Sequence, residues 1–260
     1  MKIATWNVNS LRLRLPQVLQ WFDATQVDVI ALQETKMQDA EFPLELIQAQ
    51  GLHVAFSGQR TYNGVAIVSR LPLEEVEAGI PGLMDEQKRV LAATINGVRV
   101  INVYVPNGQA VGSEKYDYKL MWLEALYAYV ATSLVKYEKL VLLGDFNIAP
   151  DDRDVHDPIA WQGSVLVSEP ERHALSKLIS LPLVDVFRQF DQAEKLFSWW
   201  DYRAAGFRRN AGLRIDLILS STALAGTCRS CTIDKQPRKH ERPSDHTPVV
   251  AEFELAMSTV

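Results

Sequence analysis

Apolar residues recur along this chain with two different periods. Residues 2–8 alternate and are β-branched, the pattern of a strand with unlike faces. Residues 27–33 and 139–143 are continuous apolar runs, the mark of strands covered on both sides. Residues 53–57, 64–69, 213–220 and 248–255 also read as strands. Residues 90–95 and 98–105 form a further pair, joined by Asn96-Gly97, a strong two-residue hairpin signal. Helical spacing marks residues 10–25, 42–50, 116–136 and 170–179. Pro16 fits best near the first turn of its helix, Gly51 ends the second helix, and Pro182 follows the last. Residues 151–170 read as loop. Hairpins and crossovers mix along the chain. The expected fold is therefore α/β or α+β, with two packed mixed sheets and helices outside.

The chain has 260 residues, 47% of them hydrophobic, enough for a large buried core. No linker or composition break divides it, so a single domain over residues 1–260 is expected. No apolar run approaches the roughly 18 residues of a membrane span. The first residues already read as strand, with no signal peptide ahead of them, and the expected location is the cytoplasm. The formal charge of −5 argues against a passive, basic DNA coat. Its distribution matters more. If Glu34, Asp145, Asp216 and Asp245 share a pocket, they hold most of the excess, and a divalent cation would offset half of theirs. Cys228 and Cys231 form a C-x-x-C without a second pair at zinc spacing, and read as structural. His240-Glu241 and His246 are spaced too widely for a zinc-protease helix and are broken by Pro243.

Six short polar clusters stand where apolar runs stop. They are Trp6-Asn7, Gln33-Glu34-Thr35-Lys36, Tyr104-Val105-Pro106-Asn107, Gly144-Asp145-Phe146-Asn147, Arg214-Ile215-Asp216 and Ser244-Asp245-His246. Carboxylates, amides, a phenol and an imidazole at strand ends are the parts that grip a divalent metal and a phosphate. Glu34 ends a buried run, where a carboxylate needs a partner: a hard cation, a helix end or Lys36. Asp145 and Asn147 lie two apart, facing one side if extended, or closing an Asx turn. His246 suits proton work near neutral pH, and Asp216 sits among apolar neighbours needing His246 or Arg214. Tyr104 and Asn107 could bind phosphate oxygens or simply pack. A P-loop is absent.

Taken together the clusters resemble the exonuclease III branch of the endonuclease/exonuclease/phosphatase superfamily. The matching stretches are Trp6 to Arg12, Leu32 to Lys36, Asn63 to Ala66, Asn102 to Tyr104, Gly144 to Pro150, Gly212 to Asp216 and Pro243 to Val249. They run in order along essentially the whole chain. The resemblance implies a four-layer α/β sandwich of the DNase I-like kind, two mixed sheets around one site. It implies Mg²⁺, with Mn²⁺ able to substitute, held by Glu34 with Asn7 and, in a second mode, Asp245. It gives Asp145 a proton-transfer role, has Asn147 and Tyr104 hold phosphate or nucleophile, and has Asp216 orient His246. Phe197 to Arg203 with Leu213 resembles the family's pocket for a flipped-out, base-less deoxyribose, lined by Trp199, Trp200 and Leu213. The family more often has phenylalanine where this chain has Trp200. Asn107, Arg208, Arg209, Lys115 and Lys119 complete the expected substrate contacts. The implied activity is hydrolysis of double-stranded DNA at base-less sites or 3′ ends by a monomer. The competing readings are an inositol-phosphatase-like enzyme and a regulator whose site has decayed. The presence of every expected polar residue favours an active nuclease.

Overall fold

A computed structural model describes residues 1–255; the expected domain limit at residue 260 lies outside them. Among the described residues, fourteen strands and six α-helices follow one another along the chain. The first sheet contains β1 (Lys2–Asn7), β2 (Val29–Gln33), β3 (His53–Ser57), β4 (Val65–Ser69), β13 (Cys228–Ile233) and β14 (Val249–Phe253), in the order β13-β14-β1-β2-β4-β3. The second contains β5 (Glu74–Ala78), β6 (Val90–Ile95), β7 (Val98–Tyr104), β8 (Leu140–Asp145), β9 (Leu183–Asp185) and β12 (Asp216–Ser221), in the order β5-β6-β7-β8-β12-β9. A short ribbon pairs β10 (Trp199–Trp200) with β11 (Gly212–Leu213). Only β1 with β2 and β7 with β8 run parallel; the remaining pairs are antiparallel, so both sheets are mixed. The helices are α1 (Leu11–Thr25), α2 (Leu44–Gln48), α3 (Glu114–Lys136), α4 (Pro158–Trp161), α5 (Glu169–Ser180) and α6 (Thr222–Ala225).

The continuous apolar runs are explained by the layers. In β2, Val29 and Ala31 join the core between the sheets, whereas Ile30 and Leu32 pack outward with Val18 and Phe22 of α1. In β8, Val141 and Leu143 face the other sheet, while Leu140 and Leu142 meet Trp122 and Leu126 of α3 and Leu175 of α5. The stack is helix, sheet, sheet, helix. Asn102 crosses it, donating to the main-chain oxygens of Leu32 and Ala66 at 2.9 Å and accepting from Gln33 at 2.8 Å. These bonds fix the register of one sheet on the other directly beneath the strand ends.

Several local expectations change. Pro16 lies well inside α1, where it leaves the Arg12 carbonyl without its helical donor. The helix expected over 42–50 shortens to α2 after Pro43. The strand expected over 213–220 is broken. Arg214 N–H bonds the Asp154 carbonyl and Ile215 N–H bonds Ser198 Oγ, so β11 turns to the ribbon and β12 to the second sheet. Asn96 and Gly97 take φ of 49° and 74°, as a two-residue hairpin demands. Cys228 and Cys231 are buried free thiols on β13. Among the described residues, no helix is long and apolar enough to cross a membrane.

Candidate active site

The site forms where parallel strands end side by side. Asn7 closes β1 beside Gln33 of β2, and Glu34 is the next residue, with φ of 52°. In the facing sheet Tyr104 closes β7, Asp145 closes β8 and Asp216 opens β12, the three lying in register across neighbouring strands. Gly144 sits one residue before Asp145 with φ of 148°. A Cβ there would fall 1.9 Å from the Val103 carbonyl oxygen, so only glycine lets β8 lie this close to β7.

Three donor atoms converge. Glu34, Asp145 and His246 each offer one ligand atom, all within 4.8 Å of one another. Asn7 Nδ2 donates to Glu34 Oε1 and to Asp145 Oδ2, both at 2.9 Å. Two carboxylates thus share one neutral donor, with the Lys36 ammonium 2.8 Å from the far side of Glu34. Hard oxygen donors gathered with so little compensation fit a hard divalent cation. His246 bonds Asp216 through Nδ1 at 2.9 Å, and its Nε2 lies 3.7 Å from Asp145 Oδ2. Arg214 instead binds Asp154 and Asp185. The partner of Asp216 is therefore His246.

Burial is the main reason the Asp145 carboxyl rises to about 7; His246 opposes the rise and Asp216 adds to it. For His246, burial alone would lower the imidazole. The carboxylates of Asp216 and Asp145 outweigh it and push the pKa up to about 10. Burial, then the charges of Glu34 and Asp145, hold the Tyr104 phenol well above its ordinary value. Burial and the neighbouring charges thus favour the protonated forms of the imidazole and the phenol and raise the Asp145 carboxyl above the usual carboxylate range. Asn147, at φ of 48°, donates its N–H to Asp145 Oδ1 at 2.9 Å and its amide to the Val105 carbonyl at 3.0 Å. Its Oδ1 accepts from Asn107 Nδ2 at 3.1 Å.

Asp245 is not one of the three converging side chains. Its oxygens accept from Asn9 Nδ2 at 2.8 Å and Trp199 Nε1 at 3.1 Å. Burial opposes ionisation of Asp245, but the His246 charge and these two bonds hold its carboxyl below the usual value. Asn7 Oδ1, similarly, accepts from the Asn9 N–H, and it is the Asn7 nitrogen that faces the carboxylates. Of the three expected pocket residues, only Trp199 is part-exposed. Trp200 and Leu213 are fully buried, because Trp200 packs edge-on against Phe207 and bonds Asn210. Asn107, Lys115, Arg208 and Arg209 are exposed. Lys119 is not: it is fully buried and ion-paired with Glu171.

The sequence assigns no role to Asn9, Ser244 or Ser198, although each lies in a stretch singled out above. Ser244 Oγ donates to the Asn7 carbonyl and accepts the His246 N–H. Ser198 Oγ accepts the N–H groups of Ile215 and Asp216. Asn9, two residues after Asn7, carried the same spacing signal as Asp145 and Asn147. The serines stand out there only as neighbours of His246 and Trp199.

The chain matches the model of the Endonuclease/Exonuclease/phosphatase family over residues 4–246. It is 36% identical over 266 residues to exodeoxyribonuclease III of Haemophilus influenzae, covering 97% of this chain and 100% of that protein. The exodeoxyribonuclease of Bacillus subtilis is 34% identical over 256 residues, covering 96% and 98%. Among solved structures, the Neisseria 3′ phosphatase NExo bound to a product DNA hairpin superposes with a TM-score of 0.97 at 48% identity, covering 98% of this chain and 100% of that one. An AP endonuclease from Archaeoglobus fulgidus gives 0.94 at 41% identity, with 98% and 100% covered. A family match of this extent, with relatives a third identical from end to end, makes this chain a member of the endonuclease/exonuclease/phosphatase family.

Proposed function

We propose that this chain is a Mg²⁺-dependent DNA-repair phosphodiesterase that acts on duplex DNA at base-less sites and at 3′ ends, releasing nucleotides or phosphate. The observation that carries the reading is the meeting of Glu34, Asp145 and His246 within 4.8 Å. The relatives' names, exodeoxyribonuclease, 3′ phosphatase and AP endonuclease, support the substrate class.

Glu34 and Asp145 are the residues to hold Mg²⁺ or Mn²⁺, with Asn7 fixing their spacing and Asp245 offering a further carboxylate at the edge. The ion, when bound, neutralises charge on the phosphate oxygens. His246, kept cationic by Asp216, faces the phosphate and stabilises its developing charge. Burial lifts the Asp145 carboxyl to about 7 without the ion; with the ion held there it would be a carboxylate, able to accept a proton from the attacking water through its other oxygen. Tyr104 donates from its protonated phenol, and the amides of Asn147 and Asn107 hold phosphate oxygens. Trp199 offers an aromatic face to an extruded base-less deoxyribose, which lacks the stacking that resists extrusion. Arg208, Arg209 and Lys115 grip the DNA backbone. The enzyme works as a cytoplasmic monomer.

The test is a substrate panel. Purified protein is incubated with labelled duplexes bearing a base-less site, a recessed 3′ end or a 3′ phosphate, and with a soluble inositol polyphosphate. Turnover of the duplexes with the inositol phosphate untouched is expected. The reverse preference would transfer the site to a small-molecule phosphatase.

A further inference from the structure

Lys119 lies at the centre of a buried network directly under the two asparagines of the site. Its ammonium donates to the Asn107 main-chain oxygen at 3.2 Å and to the Asn147 main-chain oxygen at 2.7 Å. Its third bond goes to the Glu171 carboxylate, and both side chains are 0% exposed. The three donors of the ammonium are thereby all used. Glu171 is equally saturated: it accepts the N–H groups of Leu166 and Ser168 and the Ser168 hydroxyl. The aliphatic stem also closes the space over Gly108, where a Cβ would fall 3.1 Å from its Cδ.

An ion pair with no exposure is costly to bury, and a pair placed only for stability could be replaced by apolar packing. This pair reaches two particular carbonyls. Asn107 and Asn147 stand on separate segments, one after β7 and one after β8, and are joined above by the bond between their side chains. Asn147 in turn holds Asp145 through its N–H. A cation clamped to both carbonyls from below fixes the spacing of the segments and the aim of their amides.

We propose that Lys119 is a positioning residue, which holds the backbones of Asn107 and Asn147 so that their amides meet the scissile phosphate, with Glu171 as its counter-ion. The inference rests on the phosphodiesterase reading and deepens it. Lys119 itself touches no substrate.

The test uses the full chain, a duplex with a 3′ phosphate, and Mg²⁺. The kcat, the KM and the thermal midpoint are measured for wild type, Lys119→Met and the double variant Lys119→Met with Glu171→Gln. The single variant strands a buried carboxylate and should lose both stability and turnover. The double variant removes both charges, so its midpoint should recover. Its kcat should stay roughly 10–100-fold down, the scale of small misplacements of catalytic groups, with KM changed less than about twofold. A double variant with wild-type kcat, with its loss confined to KM, or unable to fold, overturns the proposal, because Lys119 would then serve only the fold. Wild type is the control for the nuclease reading: an inactive wild type refutes that reading, whereas active wild type with a fully active double variant refutes only the role of Lys119.

Discussion

Asp145 is where the demands on this site meet. It shares Asn7 with Glu34, receives the Asn147 N–H, and faces His246 Nε2 at 3.7 Å. Asp145→Asn keeps the shape but removes the proposed proton exchange together with one of the two carboxylates proposed to hold the ion. Turnover should fall by about 10²–10⁴, the range for loss of general acid–base help, and a rate within threefold of wild type would refute the role. Glu34→Gln halves the carboxylate ligands, so half-maximal activity should require at least tenfold more Mg²⁺; an unshifted titration would remove Glu34 from the ion. Both residues were singled out in the sequence, Glu34 because a carboxylate at the end of a buried apolar run has to be explained, and Asp145 by its spacing from Asn147 after such a run. The partner of Asp216 was not. Arg214 and His246 both satisfied the spacing, and only the break in the strand at Arg214 and Ile215 turns the arginine away to Asp154 and Asp185. Lys119, expected to contact the DNA backbone, is instead fully buried. Its signal was present: Tyr116, Lys119, Trp122, Leu123 and Leu126 share the buried stripe of α3, so the lysine stands at an apolar position.

At the scale of elements, strand ends supply the site and loops finish it. The apolar runs of β2 and β8 and the hairpin between β6 and β7 could be read directly, because both the periodicity and the turn chemistry are strong. The sequence β5, Glu-Glu-Val-Glu-Ala, could not. Every residue in it is exposed, and an edge strand needs no apolar alternation. β13 was hidden similarly, by a bulge between Cys228 and Ser230 that breaks the alternation. Gly144 tests the packing of β8 on β7. Gly144→Ala must move the Val103 carbonyl and should cost roughly 2–4 kcal/mol in denaturant unfolding; a loss under about 0.5 kcal/mol would mean the strands separate easily. The β10–β11 ribbon tests specificity. Trp199 alone keeps an open face there, Trp200 and Leu213 being covered. Trp199→Ala should therefore reduce base-less-site cleavage several-fold more than removal of a 3′ phosphate. Equal losses would assign Trp199 to packing alone.

Across the whole molecule, residues from Asn7 to His246 reach one point because two mixed sheets stack face to face and end together. The four layers followed from pattern and resemblance, whereas the bridge of Asn102 and Gln33 that sets one sheet on the other did not, since buried amides have no periodic signature. The gathered charges make stability depend on pH and metal. His246, raised to about 10, contributes stability that is full below its ordinary value near 6.5 and is lost as pH climbs through 10. Asp145, raised to about 7, favours its protonated form in the fold, so its ionisation also erodes stability as pH rises through 7. A divalent ion held at Asp145, as proposed, would compete with that proton. The increase in thermal midpoint on adding Mg²⁺ should therefore be larger at pH 8.5 than at pH 6, and an equal or smaller increase would place the ion away from Asp145. The most direct measurement of the central claim is cleavage of a labelled base-less-site duplex by wild type and Asp145→Asn, each with Mg²⁺ and with chelator. One metal-and-phosphate site predicts rapid cleavage only by wild type with Mg²⁺. Cleavage that survives the chelator, or is undiminished in the variant, would contradict it.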